Sequence, residues 1–375
     1  MGTHQFSFPT AIYFGAGVSK QVKDFLKDRG FRKPLVVTDK GVVGLSFFKN
    51  FLNSLGPELN VSVFSEIWGN PVETQVKNGV VAYKEHGADC LVGIGGGAAL
   101  DVAKVIALMS THSGSLFDYE DIPGAKPIED KVPFWIALPT TSGTGSEVGR
   151  SSVISDEKTH IKRIVYSPLL LAKAVFADPE LTFDLPEKIT AATGMDALTH
   201  CVEAFLAKAY HPICDGIALE GIRLASLSLV RCVNNPIDLE ARSQMMMSSM
   251  MGAIAFQKGL GLVHSCAHSL SAVLDMHHGL ANGIMIDHAL KFNVSAVPER
   301  FSRMAQTVGL ARANPESFIQ WLTELKSEVG VLEKLPQGKD KIEQLSKLAF
   351  EDGCHQNNPR PCRREDFEKI FAEAT

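Results

Sequence analysis

Long apolar runs and paired cysteines are both missing from this sequence. No stretch of about 18 consecutive uncharged apolar residues occurs, and the first residues show no basic segment followed by an apolar one. The seven cysteines are odd in number and form no CxxC pair, which disfavours a disulfide framework and a zinc ribbon. These absences argue against secretion and membrane insertion. We expect a cytoplasmic protein with no membrane partner.

A concentration of basic residues is missing as well. The 37 lysines and arginines are outnumbered by 42 acidic residues, the formal net charge is −5, and both signs are scattered. Without a basic stripe to neutralise phosphates, no nucleic-acid partner is expected. Hydrophobic residues make up 45% of the chain and charged residues 21%, which is typical of a globular protein. The 375 residues exceed the roughly 100 to 200 of a typical domain, so we expect two domains.

The pattern of apolar residues changes near DPELTFDLP, residues 178–186. Before it, the apolar runs KPLVVTD, VSVFSEI, CLVGIG and FWIALP alternate with helical patterns, which predicts βαβ units in a parallel sheet. After it, helical patterns at 187–210, 213–233, 239–256 and 315–329 follow one another with almost no strand signal. We therefore predict an α/β domain over residues 1–182 and an all-helical domain over residues 183–375.

Three consecutive glycines follow the strand in CLVGIGGGAALDVAK, residues 90–104. Glycine lets the backbone approach a diphosphate closely, and the NH groups at the start of the next helix favour negative charge. We interpret Gly95, Gly96 and Gly97 as a phosphate loop, and a tight turn without a ligand is the alternative. The run also matches GxGxxA, but Asp118, near the required spacing, lies in a loop-like segment. The ordinary Rossmann register therefore fits poorly.

A carboxylate upstream is better placed to bind a ribose. Asp39 ends the strand KPLVVTD, where it could accept hydrogen bonds from ribose hydroxyls and repel a 2′-phosphate, which favours NAD over NADP. A helix or turn cap is the alternative for Asp39 alone. A second segment, PTTSGTGSEV, follows the strand FWIALP, and the hydroxyls of Thr140, Thr141 and Thr144 suit a diphosphate or a nicotinamide amide. An exposed Ser/Thr loop is the alternative there.

Histidines and one aspartate are concentrated in two segments of the helical half, GMDALTHCVEAF and GLGLVHSCAHSLSAVLDMHHGLANG. Asp196 and His200 are four residues apart, which on a helix places both side chains on one face. His264 and His268 repeat this spacing, and a histidine pair follows ten residues later. A carboxylate with several imidazoles suits Fe, Zn or Ni, whereas an all-oxygen set suits Mg or Ca. A packed core histidine is the alternative for any one of them, and spacing leaves open which histidine of each close pair binds.

Together these segments resemble the iron-containing (group III) alcohol dehydrogenase family. The match covers nearly the whole chain and includes, in order, FGAG, NP, GGGxxxDxAK, PTTxGTGSEV, DPELT, TGMDALTH, GLGLVH, HGLAN and NPR. The resemblance implies an α/β plus all-α fold, with an N-terminal parallel-sheet dinucleotide-binding domain and a C-terminal helical metal-binding and catalytic domain, which is a dehydroquinate synthase-like arrangement. It also implies reversible, metal-dependent oxidation of a small primary alcohol or diol by NAD.

The motifs of that family imply roles for individual residues. The metal ligands are then Asp196, His200, His264 and His278, with iron as the expected ion and zinc or nickel as alternatives. His268 resembles a histidine that lies near the nicotinamide without binding metal, and either His268 or a water relays the proton. The cofactor-binding residues are then Asp39, Asn70, Gly96, Gly97, Ala98, Asp101, Thr140, Thr141, Thr144 and Lys162. Lys162 is also a candidate catalytic residue. Ala98 stands where the family commonly has serine, so no hydroxyl reaches the phosphate there and the backbone NH contacts remain.

Other functions compete with this interpretation. A lyase similar to dehydroquinate synthase needs several basic residues around its metal, and Lys258 and Arg242 are the only Lys or Arg residues in 239–283. Their scarcity argues for a small neutral substrate. A glycerol dehydrogenase-like polyol oxidoreductase is a further alternative, and a silent nucleotide-binding protein is disfavoured because all four ligand positions are filled. We also expect a homodimer.

Overall fold

A parallel β-sheet forms the centre of the N-terminal half of the chain. In the computed structural model, which describes residues 6–8, 10–159 and 161–375, the strands are β1 (Ala11–Phe14), β2 (Pro34–Val37), β3 (Ser62–Phe64), β4 (Cys90–Gly95), β5 (Trp135–Pro139), β6 (Ser151–Ser155), β7 (Lys162–Tyr166) and β8 (Ala174–Ala177). Six of them form one sheet in the order β1-β8-β5-β4-β2-β3, and each neighbouring pair is parallel. The other two, β6 and β7, pair as an antiparallel hairpin.

Helices connect and cover these strands. They are α1 (Val22–Asp28), α2 (Ser46–Leu55), α3 (Glu73–His86) and α4 (Gly97–Thr111). All six residues of β4 and all five of β5 are buried, as expected for strands of a parallel sheet that is covered on both faces. Leu26 of α1 and Phe48 of α2 belong to one apolar core with Val92 and Phe176 of the sheet. This packing explains why the central strands are continuous apolar runs.

Helices make up the C-terminal half. They are α5 (Glu187–Leu206), α6 (Pro212–Asn234), α7 (Leu239–Ala255), α8 (Leu262–Leu274), α9 (His278–Lys291), α10 (Pro298–Thr307), α11 (Pro315–Glu328), α12 (Ile342–Glu351) and α13 (Arg364–Ala374). No strand follows β8 in the part of the chain that the structure describes. Every residue of α5 from Thr190 to Leu206 is buried, so this helix is the centre of the helical core.

The contacts between Cα atoms divide the chain into two compact units. One contains Ser142–Thr144 and Leu185–Thr375 together with residues 6–7, and the other contains Phe8–Thr141 and Gly145–Asp184. Three residues of the PTTSGTGSEV segment thus belong with the helices, although their neighbours on both sides belong with the sheet. Among the described residues, no helix has the length and apolar character needed to span a bilayer.

The predicted fold class is confirmed, because a parallel sheet with helices precedes a helical region. The helices predicted at 213–233, 239–256 and 315–329 correspond closely to α6, α7 and α11. The helix predicted at 187–210 ends earlier, because Ala207 leaves the helical conformation with a ψ of 142°. The four predicted apolar runs correspond to β2, β3, β4 and β5, and the prediction contains no counterpart of β1, β8 or the β6–β7 hairpin.

Candidate functional site

The four predicted metal ligands lie together in the helical unit. Asp196 and His200 belong to α5, His264 to α8, and His278 to the first turn of α9. Each offers one ligand atom, and these atoms all lie within 4.8 Å of one another. The Oδ1 atom of Asp196 lies 4.0, 3.9 and 3.5 Å from the Nε2 atoms of the three histidines in that order. A tetrahedral ion with bonds of about 2.1 Å separates its ligand atoms by about 3.4 Å, so the group could hold a metal ion.

The local sequence explains how three helices bring these side chains together. Because α5 is buried on all sides, the four-residue spacing of Asp196 and His200 directs both side chains into the core. Gly279, which follows His278, lies against the backbone of α5. A Cβ at Gly279 would be 2.5 Å from the carbonyl oxygen of Ala192, so only glycine permits this approach. The approach brings the start of α9 to the turn that carries Asp196.

The amide of Asn282 lies close to three of the four predicted ligand atoms. Asn282 is fully buried and lies one turn after His278 on α9. Its Nδ2 donates to Oδ1 of Asp196 at 2.7 Å and lies 3.3 and 3.2 Å from Nε2 of His264 and His278. Three atoms that can accept a hydrogen bond therefore lie within 3.3 Å of one nitrogen. Such convergence of acceptors is what a cation requires, so the residues present fit a divalent ion.

Glu203 is a candidate functional residue that the sequence analysis missed. Its buried carboxylate accepts three hydrogen bonds at the start of α8, from the backbone NH of Val263 at 2.7 Å, the backbone NH of His264 at 3.2 Å and Nδ1 of His264 at 2.6 Å. A carboxylate beside an imidazole fixes the ring's proton on the nitrogen that faces the carboxylate, here Nδ1, and leaves Nε2 for a metal. Glu203 continues the helical stripe of Asp196 and His200 by one turn, and this spacing could have revealed it.

Burial and nearby charge act in opposite directions on two of the imidazoles. Burial lowers the pKa of His200 to about 4, against the opposing effect of the Asp196 carboxylate. Burial acts in the same direction on His264, but the hydrogen bond and charge of Glu203 outweigh it, and the pKa of His264 is raised. A histidine must be neutral to bind a metal, so protons compete with an ion at His264 more than at His200.

Two nearby histidines lie outside this group. His277 is exposed and is the N-cap of α9, where its Nδ1 accepts from the NH of Leu280 at 3.4 Å. His268 lies one turn after His264, and its ring stacks on that of His278 with 5.2 Å between centroids. Nδ1 of His268 donates to the Asp352 carboxylate at 2.8 Å. The sequence gives no signal for Asp352, because it lies 84 residues from His268.

The predicted phosphate loop lies at the carboxyl end of β4. Gly95 ends β4 and Gly96 precedes α4, so the unbonded NH groups of the first helical turn lie at this loop. Gly95 has a φ of 154°, and a Cβ there would lie 2.6 Å from Cβ of Ala99, so glycine is required. The neighbouring strand β5 ends beside it, where the NH of Thr140 donates to the Gly95 carbonyl at 3.0 Å. The side chain of Thr141 lies 3.2 Å from the position of a Cβ at Gly96.

Asp39 follows β2, the next strand of the sheet. Its Oδ1 accepts from the NH groups of Gly41 and Val42 at 2.8 and 3.0 Å, so it caps the following turn. Its Oδ2 lies 3.1 Å from the position of a Cβ at Gly95. Burial raises the pKa of this carboxyl, and the two NH groups oppose the increase. Asp39, Gly95 and Thr140 thus mark the carboxyl ends of three adjacent parallel strands, the edge where ligands bind in open α/β sheets.

Asp101 is engaged by hydrogen bonds within the sheet unit. Its Oδ1 accepts from Oγ of Ser146 at 2.5 Å and its Oδ2 from the NH of Val153 at 2.9 Å. Its predicted contact with a cofactor stays a prediction. The remaining predicted cofactor residues are Gly97 and Ala98 in the first turn of α4, Asn70 at an exposed bend before α3, Lys162 at the start of β7, and Thr144 in the segment that belongs with the helical unit.

Known proteins resemble this chain over its whole length. A family model described as iron-containing alcohol dehydrogenase matches residues 9–179, and one for the C-terminal part of the Fe-containing alcohol dehydrogenase family matches residues 190–375. The chain is 37% identical to 4-hydroxybutyrate dehydrogenase of Cupriavidus necator, over 97% of this chain and 98% of that protein. It is 35% identical to NAD-dependent methanol dehydrogenase of Bacillus methanolicus, over 98% and 99%.

A solved structure extends this similarity to three dimensions. Sulfoacetaldehyde reductase from Bifidobacterium kashiwanohense, in complex with NAD⁺, superposes on the chain with a TM-score of 0.92. The two sequences are 28% identical, and the superposition covers 100% of this chain and 99% of that one. The sheet and the helical region described above are therefore those of a known structural family.

Single substitutions should separate ligands from neighbouring histidines. We expect His264→Ala and His278→Ala to lose bound metal, because each removes one of four convergent ligand atoms. His277→Ala and His268→Ala should retain it, since neither side chain belongs to the group. Elemental analysis of anaerobically reconstituted protein measures metal content, and circular dichroism controls for folding. Loss of metal from His277→Ala together with its retention in His278→Ala would contradict the assignment.

Replacement of Glu203 should weaken metal binding without removing a ligand. In Glu203→Gln the amide cannot accept all three hydrogen bonds, so the orientation of His264 is lost. We expect the metal dissociation constant to rise by about 10- to 100-fold. Competition with a chromophoric chelator measures it, and Glu187→Gln, at an exposed position on the same helix, is the matched control. Equal dissociation constants for the two variants would show that Glu203 does not orient the ligand.

Proposed function

Since the chain belongs to the iron-containing alcohol dehydrogenase family, we propose that it catalyses reversible hydride transfer between a small primary alcohol or diol and NAD. The observation that carries this proposal is the buried group of one carboxylate and three imidazoles whose ligand atoms lie within 4.8 Å. We include in the proposal the expected homodimer and cytoplasmic location.

The names of three relatives support a substrate with a terminal alcohol or aldehyde. 4-Hydroxybutyrate and methanol are primary alcohols, and sulfoacetaldehyde is an aldehyde. Two of these substrates, 4-hydroxybutyrate and sulfoacetaldehyde, also carry an anionic group, but we favour a neutral substrate here because the two basic residues of 239–283 make contacts within the fold. Lys258 pairs with Asp215 and donates to a backbone carbonyl, and the buried Arg242 donates to the carbonyl of Pro236 and the hydroxyl of Thr190. The charge of Lys258 is therefore paired within the fold, and the side chain of Arg242 is buried.

The proposed metal site would hold a divalent ion through the side chains of Asp196, His200, His264 and His278. When bound, the ion would act as a Lewis acid that lowers the pKa of the alcohol hydroxyl. We propose Fe²⁺, and similar donor sets also accept Zn²⁺ or Ni²⁺. The protein's part is to hold the ligand atoms, with Asn282 donating to Asp196 and Glu203 orienting His264.

Alcohol oxidation releases a proton as well as a hydride. When bound, NAD would accept the hydride from the carbon that bears the hydroxyl, and His268 would accept the hydroxyl proton. The products are an aldehyde, NADH and a proton. His268 is supported in this role by its stacking on the proposed ligand His278. Lys162 is proposed to lie near the cofactor.

The proposed NAD site uses the edge formed by β2, β4 and β5. The NH groups at the start of α4, beside Gly96 and Gly97, would bind the diphosphate, and Thr140 and Thr141 lie beside them. Asp39 would accept hydrogen bonds from the ribose and repel a 2′-phosphate. The cofactor contacts expected of Asn70, Ala98, Asp101 and Thr144 stay predictions from the family resemblance.

Removal of the metal should abolish turnover and preserve NADH binding. A chelator should stop alcohol oxidation and aldehyde reduction, whereas NADH should still bind through the loop at Gly96, which does not use the ion. Fe(II) should restore activity, and Zn(II) should restore less. NADH formation with methanol, 1-propanol, 1,3-propanediol, glycerol and 4-hydroxybutyrate, beside NADH fluorescence titration of metal-free protein, measures both properties. Full turnover in protein shown to contain no metal would contradict the proposal.

Asp39 should determine the preference for NAD. In Asp39→Gly the ratio of kcat/KM for NADP to that for NAD should rise by about tenfold, which corresponds to roughly 1.4 kcal/mol of relieved repulsion. Asp39→Asn is the matched control for the cap, because its amide oxygen can still accept from Gly41 and Val42 without a charge. Both variants should change preference if the charge is the cause. An unchanged preference for NAD over NADP in folded Asp39→Gly would show that Asp39 does not contact the ribose.

A further inference from the structure

We propose that Asp352 is a positioning residue for His268, and this inference rests on the proposed function. Oδ2 of Asp352 accepts the hydrogen bond of Nδ1 of His268 at 2.8 Å. The carboxylate follows the last residue of α12, whereas the imidazole lies in the middle of α8. A pairing of an imidazole with a carboxylate across two elements, beside the proposed metal ligands, resembles the base and orienting group of other proton-transfer sites.

Hydrogen bonds to its other oxygen atom hold the Asp352 carboxylate in place. Its Oδ1 accepts from Oγ of Ser265 at 2.7 Å and from the backbone NH of Cys354 at 2.8 Å. Burial acts to raise its pKa, but the charge and hydrogen bond of His268, with those of Ser265 and Cys354, keep the pKa of Asp352 below its ordinary value. Three donors therefore converge on its two oxygens, and the carboxylate acts only as an acceptor of hydrogen bonds.

An ionised Asp352 determines which nitrogen of His268 carries the proton. Because the carboxylate only accepts, Nδ1 must be protonated, and Nε2 of the neutral ring is then the atom with a lone pair. In alcohol oxidation the O–H bond breaks and its proton forms a bond with Nε2, while the electron pair of the C–H bond leaves with the hydride to NAD⁺. Asp352 stays ionised and pairs with the imidazolium. The opposite tautomer could not accept the proton at Nε2.

The same residues form a second group that could hold an ion, with His268, Asp352 and Cys354 in reach of one another. The hydrogen bonds argue against that use. Both oxygens of Asp352 already accept from donors, and burial raises the pKa of the Cys354 thiol well above its ordinary value, so the sulfur stays protonated. A protonated thiol is not a metal ligand. The pair of His268 and Asp352 accounts for the contacts better than an ion does.

The first arm of the test is kinetic and uses Fe(II)-reconstituted full-length protein. We expect Asp352→Asn to lower kcat by about 10- to 100-fold with KM and metal content unchanged, because the imidazole remains but its orientation and tautomer are no longer fixed. Ser265→Ala removes another hydrogen bond to the same carboxylate and leaves the His268 contact, so it should cost far less. Adding Asp352→Asn to His268→Asn should cause no further loss.

The second arm needs no turnover. In ¹⁵N-histidine-labelled, Zn(II)-loaded protein, NMR reports which ring nitrogen of His268 is protonated, and the resonance is assigned by its absence from His268→Asn. We expect the Nδ1–H tautomer in the wild type and a mixture in Asp352→Asn. An Nε2–H tautomer in the wild type, a wild-type kcat in Asp352→Asn, or additive losses in the double variant would each overturn the proposal. Failure of the proposed function would differ, since wild-type protein would form no NADH with any alcohol while the tautomer was as expected.

Discussion

The buried carboxylate of Glu203 is the interaction on which the metal group depends. It accepts hydrogen bonds from two backbone NH groups and one imidazole NH at the start of α8. The two backbone NH groups belong to the first helical turn, where no preceding carbonyl of the helix is available to them. These bonds join α8 to α5, the helix that carries Asp196 and His200, and they also fix the proton of His264 on Nδ1. A carboxylate buried without donors would be strongly destabilising. The bonds that make its burial tolerable are therefore the bonds that orient the ligand.

Local patterns explain how much of the molecule could be predicted. Apolar runs gave the parallel sheet, and four-residue spacings with family motifs gave the residues that the helices bring together. Glu203, Asn282 and Asp352 were missed because each contacts a predicted site residue, or its neighbour, that lies 60 to 86 residues away in the sequence. Glu203 follows His200, and Asn282 follows His278, at helical spacing. This spacing identifies both residues once the histidines are taken as ligands. Asp352 follows the end of α12, where no periodicity applies, and only the folded chain connects it with His268.

Asp39 and the Ser142–Thr144 segment show two further limits of motif analysis. The sequence offers a turn cap and a ribose contact as alternatives for Asp39, yet one oxygen caps the turn while the other lies toward Gly95. A carboxylate has two oxygens, so the two roles are compatible. The hydroxyls of PTTSGTGSEV look like one set in the sequence, but three of its residues belong to the helical unit. Residues that are neighbours in a sequence motif can belong to different compact units of the fold, and the motif alone does not show this.

The uneven burial of the four proposed ligands bears on how an ion would enter and leave. The side chains of Asp196, His200 and His264 are at most 6% exposed, whereas that of His278 is 22% exposed. His278 is also the first residue of α9, and helix ends fray more readily than buried helix interiors. An ion that leaves would therefore first lose its contact with His278, the most exposed of the four side chains. The three buried side chains would then hold the ion during that step, and the exposed one would admit water or an incoming ion.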